Sequence, residues 1–370
     1  MRSNGQNFLI FFVSTILIFT AVSLNSWEVN FSGISLSPET LLHLVLLFFI
    51  FIAFLLFKNF YLLKITFINF LVFIALIYLF TLICFDIYFY SNFNAFYELN
   101  FLVLLSFIPI CFYAVKLSPN FFNYFIYFLI ILLITQSIFF QNNFSQALMA
   151  DEITSYGVVV SRLGIFGYVS NTFAIILSFL ITFLANQLLN RFKFMDLILI
   201  TILVILLLQT FSRTGIISAY LGLGILLIYK RFIYGVIFLA FPPILLVFLL
   251  SSLAIFQDQG LVIRLLELDI SNNPRFRYWI NAISNLSFGY EYFFGKTFFR
   301  IPTDNTLVGI YAGRGIFGLI AYSIFLTALI LSFSNKSKSF PLFIALIICF
   351  LFSSLTIDYF GQRKIIYFFA

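Results

Sequence analysis

Charge is what this sequence has least of, since only 9% of its 370 residues are Asp, Glu, Lys or Arg, whereas 63% are hydrophobic. Soluble globular chains carry charged side chains on about a quarter of their positions. The single histidine, His43, lies inside an apolar run, so neither HExxH zinc chemistry nor an external Ser-His-Asp triad is expected, and His43 should simply be packed or bonded within its helix. No GxxxxGK loop or dinucleotide fingerprint occurs, which excludes a nucleotide-driven motor.

Apolar runs follow one another along the chain, and about 20 residues of helix cross the roughly 30 Å of bilayer hydrocarbon. The alternating pattern of a barrel is absent, and the first run lacks the cleavage site of a signal peptide, so we expect it to be retained. We predict an all-α, polytopic integral membrane bundle of about 11 to 12 transmembrane helices that forms a single membrane domain over 1–370. The predicted spans are 8–24, 38–57, 65–85, 99–115, 121–140, 164–186, 195–210, 214–229, 232–253, 304–333 and 339–357, and a short or re-entrant segment after 357 would be the twelfth.

A few other residues give local structural hints. The three cysteines, Cys84, Cys111 and Cys349, are too few and too separated for a disulfide framework or a metal site, so we expect small packing side chains. Ser37-Pro38 and Ser118-Pro119 each place a serine before a proline at the predicted start of a helix.

Basic residues mark one side of the membrane. If the N-terminus is cytoplasmic, every cytoplasmic connection carries a basic residue, as the positive-inside rule requires. Twelve of the thirteen acids, all except Asp196, then fall on the other side or at its interface. The cytoplasmic basic residues are then Arg2, Lys58, Lys64, Lys116, Arg191, Lys193, Lys230, Arg231, Lys336 and Lys338. The other side holds Arg162, Arg213, Arg264, Arg275, Arg277, Lys296, Arg300, Arg314, Arg363 and Lys364.

These two sets differ in kind, with seven lysines and three arginines in the cytoplasmic set against eight arginines and two lysines outside. Lysine suffices as a topology signal, whereas the planar fork of arginine suits phosphate oxygens. The asymmetry therefore indicates phosphate binding on the external side. The alternative is that these are only solvated surface arginines.

Two short stretches place arginines in special contexts on that side. Arg162 stands before a predicted span beside Gly164, where it would lie at the mouth of a helix and reach into a cavity, unless it is only an interfacial arginine. The Phe-Ser-Arg-Thr-Gly stretch at 211–215 forms the predicted tip of a helical hairpin. There Arg213 and the free backbone N–H groups of the next helix would make an anion site.

The longest hydrophilic segment is the external loop 254–303, and a loop of this length is usually functional or disordered. It contains Arg275 and Arg277. Apolar residues spaced for one helix face predict an amphipathic helix at the membrane interface, and they are Trp279, Ile280, Ile283 and Leu286.

Arg314 follows about ten residues into the apolar run that starts at 304, some 15 Å along a straight helix at 1.5 Å per residue. Ionisable residues inside a membrane usually face a polar cavity and mark a functional site, and the neighbouring glycines allow a bend or close helix packing. The alternative is that the span begins later and that Arg314 snorkels to the surface.

In this order and on this side, the segments resemble the O-antigen polymerase and ligase superfamily, and within it the Wzy-type polymerases. The resemblance covers about residues 155–335, whereas 1–140 are similar only to generic membrane helices. The segments that carry it are the arginine and glycine at 162 and 164, Ser-Arg-Thr-Gly at 212–215, Arg-x-x-x-Trp at 275–279, the glycine-containing stretch at 289–295, and Asp304-Asn305 before a glycine-rich span.

The resemblance implies a protein of the bacterial inner membrane with a cytoplasmic N-terminus, a periplasmic loop 254–303 and a periplasmic active face. It would polymerise undecaprenyl-diphosphate-linked repeat units into O-antigen or a related polysaccharide. Its partners would be the lipid-linked glycan donor and acceptor, membrane lipid and a polysaccharide chain-length regulator, without cofactor, metal or nucleic acid. Ligases of the superfamily are expected to carry a histidine where this chain has Asp304, so the polymerase is favoured over the alternatives, a ligase or a lipid-linked oligosaccharide flippase or transporter.

The resemblance also implies the residues of the site. The diphosphate is expected to be bound by external arginines, namely Arg162, Arg213, Arg275 or Arg277, and Arg314. Arg314 would act in catalysis by stabilising the charge on the leaving diphosphate. Asp304 would orient or deprotonate the acceptor hydroxyl, or else cap the following helix, and Glu291 and Asp269 are further candidates for the base.

Overall fold

The computed structural model describes residues 2–22, 29–31, 34–36, 41–49, 117–143, 149–153, 159–163, 170–210, 212–240, 274–284, 289–295, 305–332 and 340–355, with isolated helical positions between 77 and 115. Its contacts divide the chain into two compact units. The first unit comprises Met1–Leu132, Pro274–Ser334 and Ile357–Ala370, and the second comprises Leu133–Asn273 and Asn335–Thr356.

Helices make up most of the described chain, as expected for apolar segments that must satisfy their backbone groups internally. Their bounds are α1 Arg2–Val22, α2 Pro119–Asn143, α3 Ser170–Asn190, α4 Phe194–Gln209, α5 Arg213–Lys230, α6 Phe232–Ala240, α7 Pro274–Ser284, α8 Tyr290–Phe294, α9 Thr306–Ser332 and α10 Phe340–Ser354. A further helical segment covers 41–49. Two antiparallel hairpins pair β1 (Val29–Phe31) with β2 (Ile34–Leu36) and β3 (Met149–Ile153) with β4 (Val159–Leu163).

The helices overlap the predicted spans wherever the structure describes them. The spans 8–24, 121–140, 195–210, 214–229, 304–333 and 339–357 correspond to α1, α2, α4, α5, α9 and α10, and α2 begins at Pro119 as predicted. Among the described residues, three helical stretches are long and apolar enough to cross a membrane, and they are Pro119–Ser137, Asn171–Asn190 and Thr306–Ala328. The protein is therefore mainly helical with candidate membrane-spanning helices, and the number of 11 to 12 stays a prediction.

Several predicted spans are described only in part. Helix covers 41–49 of the span 38–57, isolated helical positions fall within 65–85 and 99–115, and α6 covers the start of 232–253. The remainder of these spans lies outside the described residues, as does the Ser37-Pro38 pair.

The connection ahead of α3 differs from the prediction. The helix placed at 164–186 is found at Ser170–Asn190, and the stretch treated as loop around 141–163 contains the β3–β4 hairpin. β-branched residues, such as Val159, favour extended backbone. Hydropathy periodicity does not show that two short segments pair with each other, so the hairpin was not predicted.

Helices α3 and α5 of the second unit run parallel and in close contact. A Cβ atom added to Gly222 of α5 would lie 2.6 Å from the Thr182 Oγ1 atom of α3. At the end of both helices, the Lys230 side chain donates a hydrogen bond to the Asn190 side chain. The two contacts have the same sequence offset, so the helices stay in register over two turns.

Helix α10 packs antiparallel to α5. At one end the rings of Tyr229 and Phe340 lie 5.9 Å apart, and further along the Cys349 thiol donates to the Ser218 carbonyl oxygen at 3.0 Å. Cys349 is thus a buried packing residue, as predicted. Small side chains line the junction of the three helices, which lets their backbones approach closely.

The contacts of α3, α5 and α10 group their ends. Asn190, Lys230 and Phe340 all lie at one end of the second unit. The connections that follow Asn190 and Lys230, and the connection that precedes Phe340, are those predicted to be cytoplasmic. Arg191 and Arg231 are exposed there. These connections were predicted to lie on the same side of the membrane, which agrees with this grouping. Their orientation in the membrane stays a prediction.

The packing predicts the effect of one substitution in α5. Because a Cβ atom at Gly222 would lie 2.6 Å from both Thr182 Oγ1 and Cys349 Sγ, Gly222→Val is expected to lower the free energy of unfolding by about 2 kcal/mol. Thermal unfolding of the purified protein in detergent measures this. The control is Ile217→Val on the same helix, where the side chain is 40% exposed, and equal melting temperatures for the two variants would contradict the packing described.

In the first unit, α1 packs against the segment 41–49, with the rings of Phe8 and Phe49 5.4 Å apart. His43 is buried, with its ring 5.1 Å from that of Phe107, so it is a packed residue as predicted. Helices α7 and α8 both pack against α9. This last group carries the first of two arginine sites.

Candidate functional site

The first site centres on Arg314, the ninth residue of α9. Its side chain is only 5% exposed. An arginine in the middle of a membrane helix costs about 2.5 to 3.5 kcal/mol on insertion scales, so such a position is retained mainly where the charge has a use. The burial confirms that Arg314 lies inside the protein, and it does not fit the alternative of a side chain that extends to an exposed surface.

The helix that carries Arg314 is kinked at the next residue. Gly315 has φ 61° and ψ −162°, a conformation that residues with a Cβ atom rarely adopt. The bend predicted from the glycines around Arg314 is therefore confirmed.

Helix α9 begins with a side-chain cap. The Asn305 Oδ1 atom accepts hydrogen bonds from the Leu307 amide at 2.9 Å and from the Val308 amide at 3.1 Å. Asparagine is among the preferred capping residues because its side-chain oxygen satisfies amides of the first turn. The capping role considered for Asp304 thus belongs to Asn305, and Asp304 itself lies outside the described residues.

Helix α8 lies on the kink of α9. The rings of Phe294 and Phe317 are 5.2 Å apart, and those of Tyr292 and Tyr311 are 6.0 Å apart at right angles. These aromatic pairs hold the short helix against the turn of α9 before Arg314 and against the turn after it. Glu291, a candidate for the base, is half-buried in the first turn of α8.

An apolar cavity of about 390 Å³ opens along α9 beyond Arg314. Its lining residues are Ile316, Leu319, Ile320, Ser323, Ile324, Thr327 and Ala328. The side chains are almost all aliphatic, so this surface suits a hydrocarbon chain better than a sugar.

The helix predicted in the loop 254–303 is α7, and it places Arg275 and Arg277 in its first turns. Ala282 is buried, whereas Ile280 is 63% exposed and Ile283 is also exposed. The helix is confirmed, and exposed isoleucines are suitable for contact with a membrane interface. Because α7 packs on α9, this unit brings the helix of Arg275 and Arg277 against the helix of Arg314.

The second site is the start of α5, where the hairpin tip predicted at 211–215 is confirmed. Ser212 is the N-cap, and its hydroxyl accepts a hydrogen bond from the Gly215 amide at 3.4 Å. Arg213 is half-buried at the first helical position. The serine hydroxyl is thus engaged in capping, and the anion-binding capacity of this end comes from the Arg213 side chain and the positive end of the helix dipole.

Hydroxyl groups surround this end of the second unit. A Cβ atom added to Gly215 would lie 2.9 Å from the backbone carbon of Ala174, so the starts of α3 and α5 are level. Because α10 runs antiparallel, its last residues reach the same end. The hydroxyl residues buried at these three helix ends and in the adjacent turn are Thr172, Thr210, Ser212, Thr214, Ser353 and Ser354.

The predicted position of Arg162 is wrong. It lies in strand β4, where it pairs with Ala150 of β3, and not at the mouth of a helix. Helix α3 starts only at Ser170. The hairpin contacts α4, and its arginine therefore belongs to a strand of the second unit.

The predicted arginines thus fall into two groups. Arg275, Arg277 and Arg314 belong to the first unit, whereas Arg162 and Arg213 belong to the second, and Asp269 and Asp304 lie outside the described residues. Sequence reasoning missed Asn305 as the cap and the contact of α8 with the kink. The first was detectable as an asparagine before an apolar run, but no local pattern signals the second.

Metal ligands do not gather in the part of the chain that the structure describes, where no group of three His, Cys, Asp or Glu residues could hold an ion. An arginine is the polar side chain that the two sites share, Arg314 on α9 and Arg213 at the start of α5. No family model, curated protein or solved structure matches the chain. A function must therefore be proposed from the residues themselves.

Proposed function

We propose that this chain is a membrane glycosyltransferase of the O-antigen polymerase type, which joins undecaprenyl-diphosphate-linked repeat units on the periplasmic face of a bacterial inner membrane. The observation that carries the proposal is Arg314, buried within an apolar helix at a kink. A buried guanidinium can bind the diphosphate of a membrane lipid, because charge-assisted hydrogen bonds to phosphate oxygens offset the cost of burying the charge.

The reaction needs a cation where charge develops. The acceptor hydroxyl oxygen forms a bond to the anomeric carbon of the donor glycan, the bond from that carbon to the diphosphate oxygen breaks, and the hydroxyl proton passes to a base. Undecaprenyl diphosphate leaves with the bonding electrons. A fixed arginine near the leaving oxygen lowers the barrier without reorganisation at the moment of reaction.

The remaining polar groups have roles in the same scheme. Arg275 and Arg277 on α7 are the further diphosphate ligands beside Arg314 in the first unit. In the second unit, Arg213 at the start of α5 and Arg162 on β4 are each proposed to bind phosphate oxygens. Asp304, directly before the cap of α9, orients or deprotonates the acceptor, with Glu291 as the alternative base.

The apolar cavity on α9 supports a lipid-linked substrate. It is lined by residues that follow Arg314 on the same helix, from Ile316 to Ala328. A lipid-linked substrate has a matching arrangement, because its charged diphosphate is followed by an apolar polyprenyl tail. A polysaccharide chain-length regulator would be a protein partner of such an enzyme.

Deletion of the gene in its bacterium tests the proposal. A polymerase mutant is expected to make lipopolysaccharide with one repeat unit on the core and no ladder of longer chains on gels, and the wild-type gene should restore the ladder. The control is the strain that carries the empty complementation vector. Lipopolysaccharide cores that carry no repeat unit at all would point to a ligase or a flippase. An unchanged ladder would contradict the proposal.

A further inference from the structure

We infer that three glycines around Arg314, namely Gly295, Gly315 and Gly318, are positioning residues that fix this arginine by interlocking α8 with the kink of α9. The inference rests on the proposed function insofar as Arg314 acts on a substrate. Its structural part depends only on the contacts between the two helices.

Gly315 provides both the kink and the room for α8. Its φ of 61° favours glycine, and an added Cβ atom would collide with the backbone of Phe293 and lie 2.6 Å from the Phe294 amide nitrogen. Real Cβ atoms essentially never lie so close to another backbone. A side chain at 315 would therefore push α8 away and straighten α9.

Gly295 makes the reciprocal contact from the other side. It ends α8 with φ 80°, and its amide donates to the Glu291 carbonyl oxygen at 2.7 Å. A Cβ atom here would collide with the backbone of Gly313 and with the Arg314 amide nitrogen. Each of the two chain segments thus occupies the space that a side chain on the other would need.

Gly318 clears the space for Arg314 itself. A Cβ atom added to Gly318 would collide with the Arg314 Cβ atom and lie 3.4 Å from its Cγ atom. In a straight helix, side chains four residues apart are neighbours at about 5 to 6 Å between Cβ atoms. The kink at Gly315 has brought residues 314 and 318 closer than that, and glycine is the residue that allows it.

Gly313 is different, although it adjoins Arg314. A Cβ atom there would meet nothing within 4 Å. Gly313 lies only two residues from Gly315 in the same helix, which makes Gly313→Ala a matched control for the interlocked glycines.

The interlock matters because catalysis is sensitive to position. A displacement of about 1 Å in a group that stabilises a transition state can cost about 100-fold in rate. The overlap created by a side chain at 295 or 315 must be relieved by a shift of α8, of the backbone at Arg314, or of both, while the guanidinium charge is retained. The rate should therefore fall more than substrate binding does.

Steady-state assays of the purified full chain with lipid-linked oligosaccharide test this. We expect Gly315→Ala and Gly295→Ala to lower kcat about 100-fold with KM within about threefold of wild type, and Gly313→Ala to behave as wild type. Hydrogen exchange of the 290–295 amides should lose protection in the first two variants only. Equal kcat and equal exchange for Gly315→Ala and Gly313→Ala would overturn the inference.

A double-mutant cycle followed by thermal unfolding tests Gly318 without any activity measurement. Gly318→Ala is expected to lower the melting temperature by about 5 °C, but to leave it unchanged in an Arg314→Gly background that has no Cβ atom to collide with. Equal shifts in both backgrounds would contradict the role of Gly318. If Arg314→Ala kept full polymerase activity, the proposed function would fail, whereas exchange and melting would still decide the interlock.

Discussion

Arg314→Ala is expected to lower polymerisation about 100- to 1000-fold and to leave lipopolysaccharide with a single repeat unit on gels. Removal of one preorganised donor from a site of developing negative charge has an effect of this size in other enzymes. The effect should be near its maximum here because Arg314 is only 5% exposed, so water cannot replace the lost charge. Rates with purified enzyme and gel ladders from a complemented deletion strain provide the measurement.

One further variant separates charge from geometry at Arg314, and a second variant at another residue serves as the control. Arg314→Lys keeps the charge but loses the planar fork of donors, so we expect it to recover only a small part of the activity. Arg191→Ala removes an exposed arginine from a connection that is predicted to be cytoplasmic, and it should leave polymerisation unchanged. A full ladder from Arg314→Ala at normal expression would show that the proposed site is wrong.

Arg213→Ala is expected to lower kcat/KM for the lipid-linked substrate about 10- to 100-fold. Arg213 stands at the first position of α5, where the side chain and the helix dipole both favour an anion. It is half-buried and not fully enclosed, so screening by water and salt should make its effect smaller than that of Arg314. Kinetics at low and high ionic strength measure this, and the loss should be larger at low ionic strength.

Arg231→Ala is the matched control for that experiment, because it removes an exposed arginine directly after the opposite end of the same helix. We expect it to leave kcat/KM unchanged. Arg213→Lys should retain more activity than Arg213→Ala, since a point charge still favours a diphosphate. Equal kinetics for Arg213→Ala and Arg231→Ala would remove the start of α5 from the proposed site.

The long helices, such as α5, were predictable from the sequence because each is an apolar run bounded by polar residues, whereas α7 and α8 are not apolar runs. Helix α5 extends only one residue beyond the prediction at each end, since Ser212 and Arg231 interrupt the pattern there. Helix α3 begins at Ser170 and not at 164, and the apolar pattern did not predict that Val159–Leu163 pair with β3. Strand pairing depends on residues distant in sequence, which hydropathy does not contain.

The site was predictable in part for similar reasons. A charge ten residues into an apolar run singles out Arg314, and the flanking glycines indicated a bend. The sequence alone did not show which glycine bends the helix or which packs against another segment. Gly313 and Gly315 are both glycines beside Arg314 in the sequence, yet only at Gly315 would an added side chain collide with α8, because that depends on where a separate helix lies.

The junction of α3, α5 and α10 also has a consequence for biosynthesis. Helix α10 starts at Phe340, about 110 residues after α5 ends at Lys230, and at roughly 5 to 20 residues per second it emerges from the ribosome about 5 to 20 s later. During this interval the Ser218 and Gly222 face of α5 has not met Cys349. Quality-control proteases that recognise unassembled helices have that time to act, so cellular abundance should depend on how quickly α10 arrives.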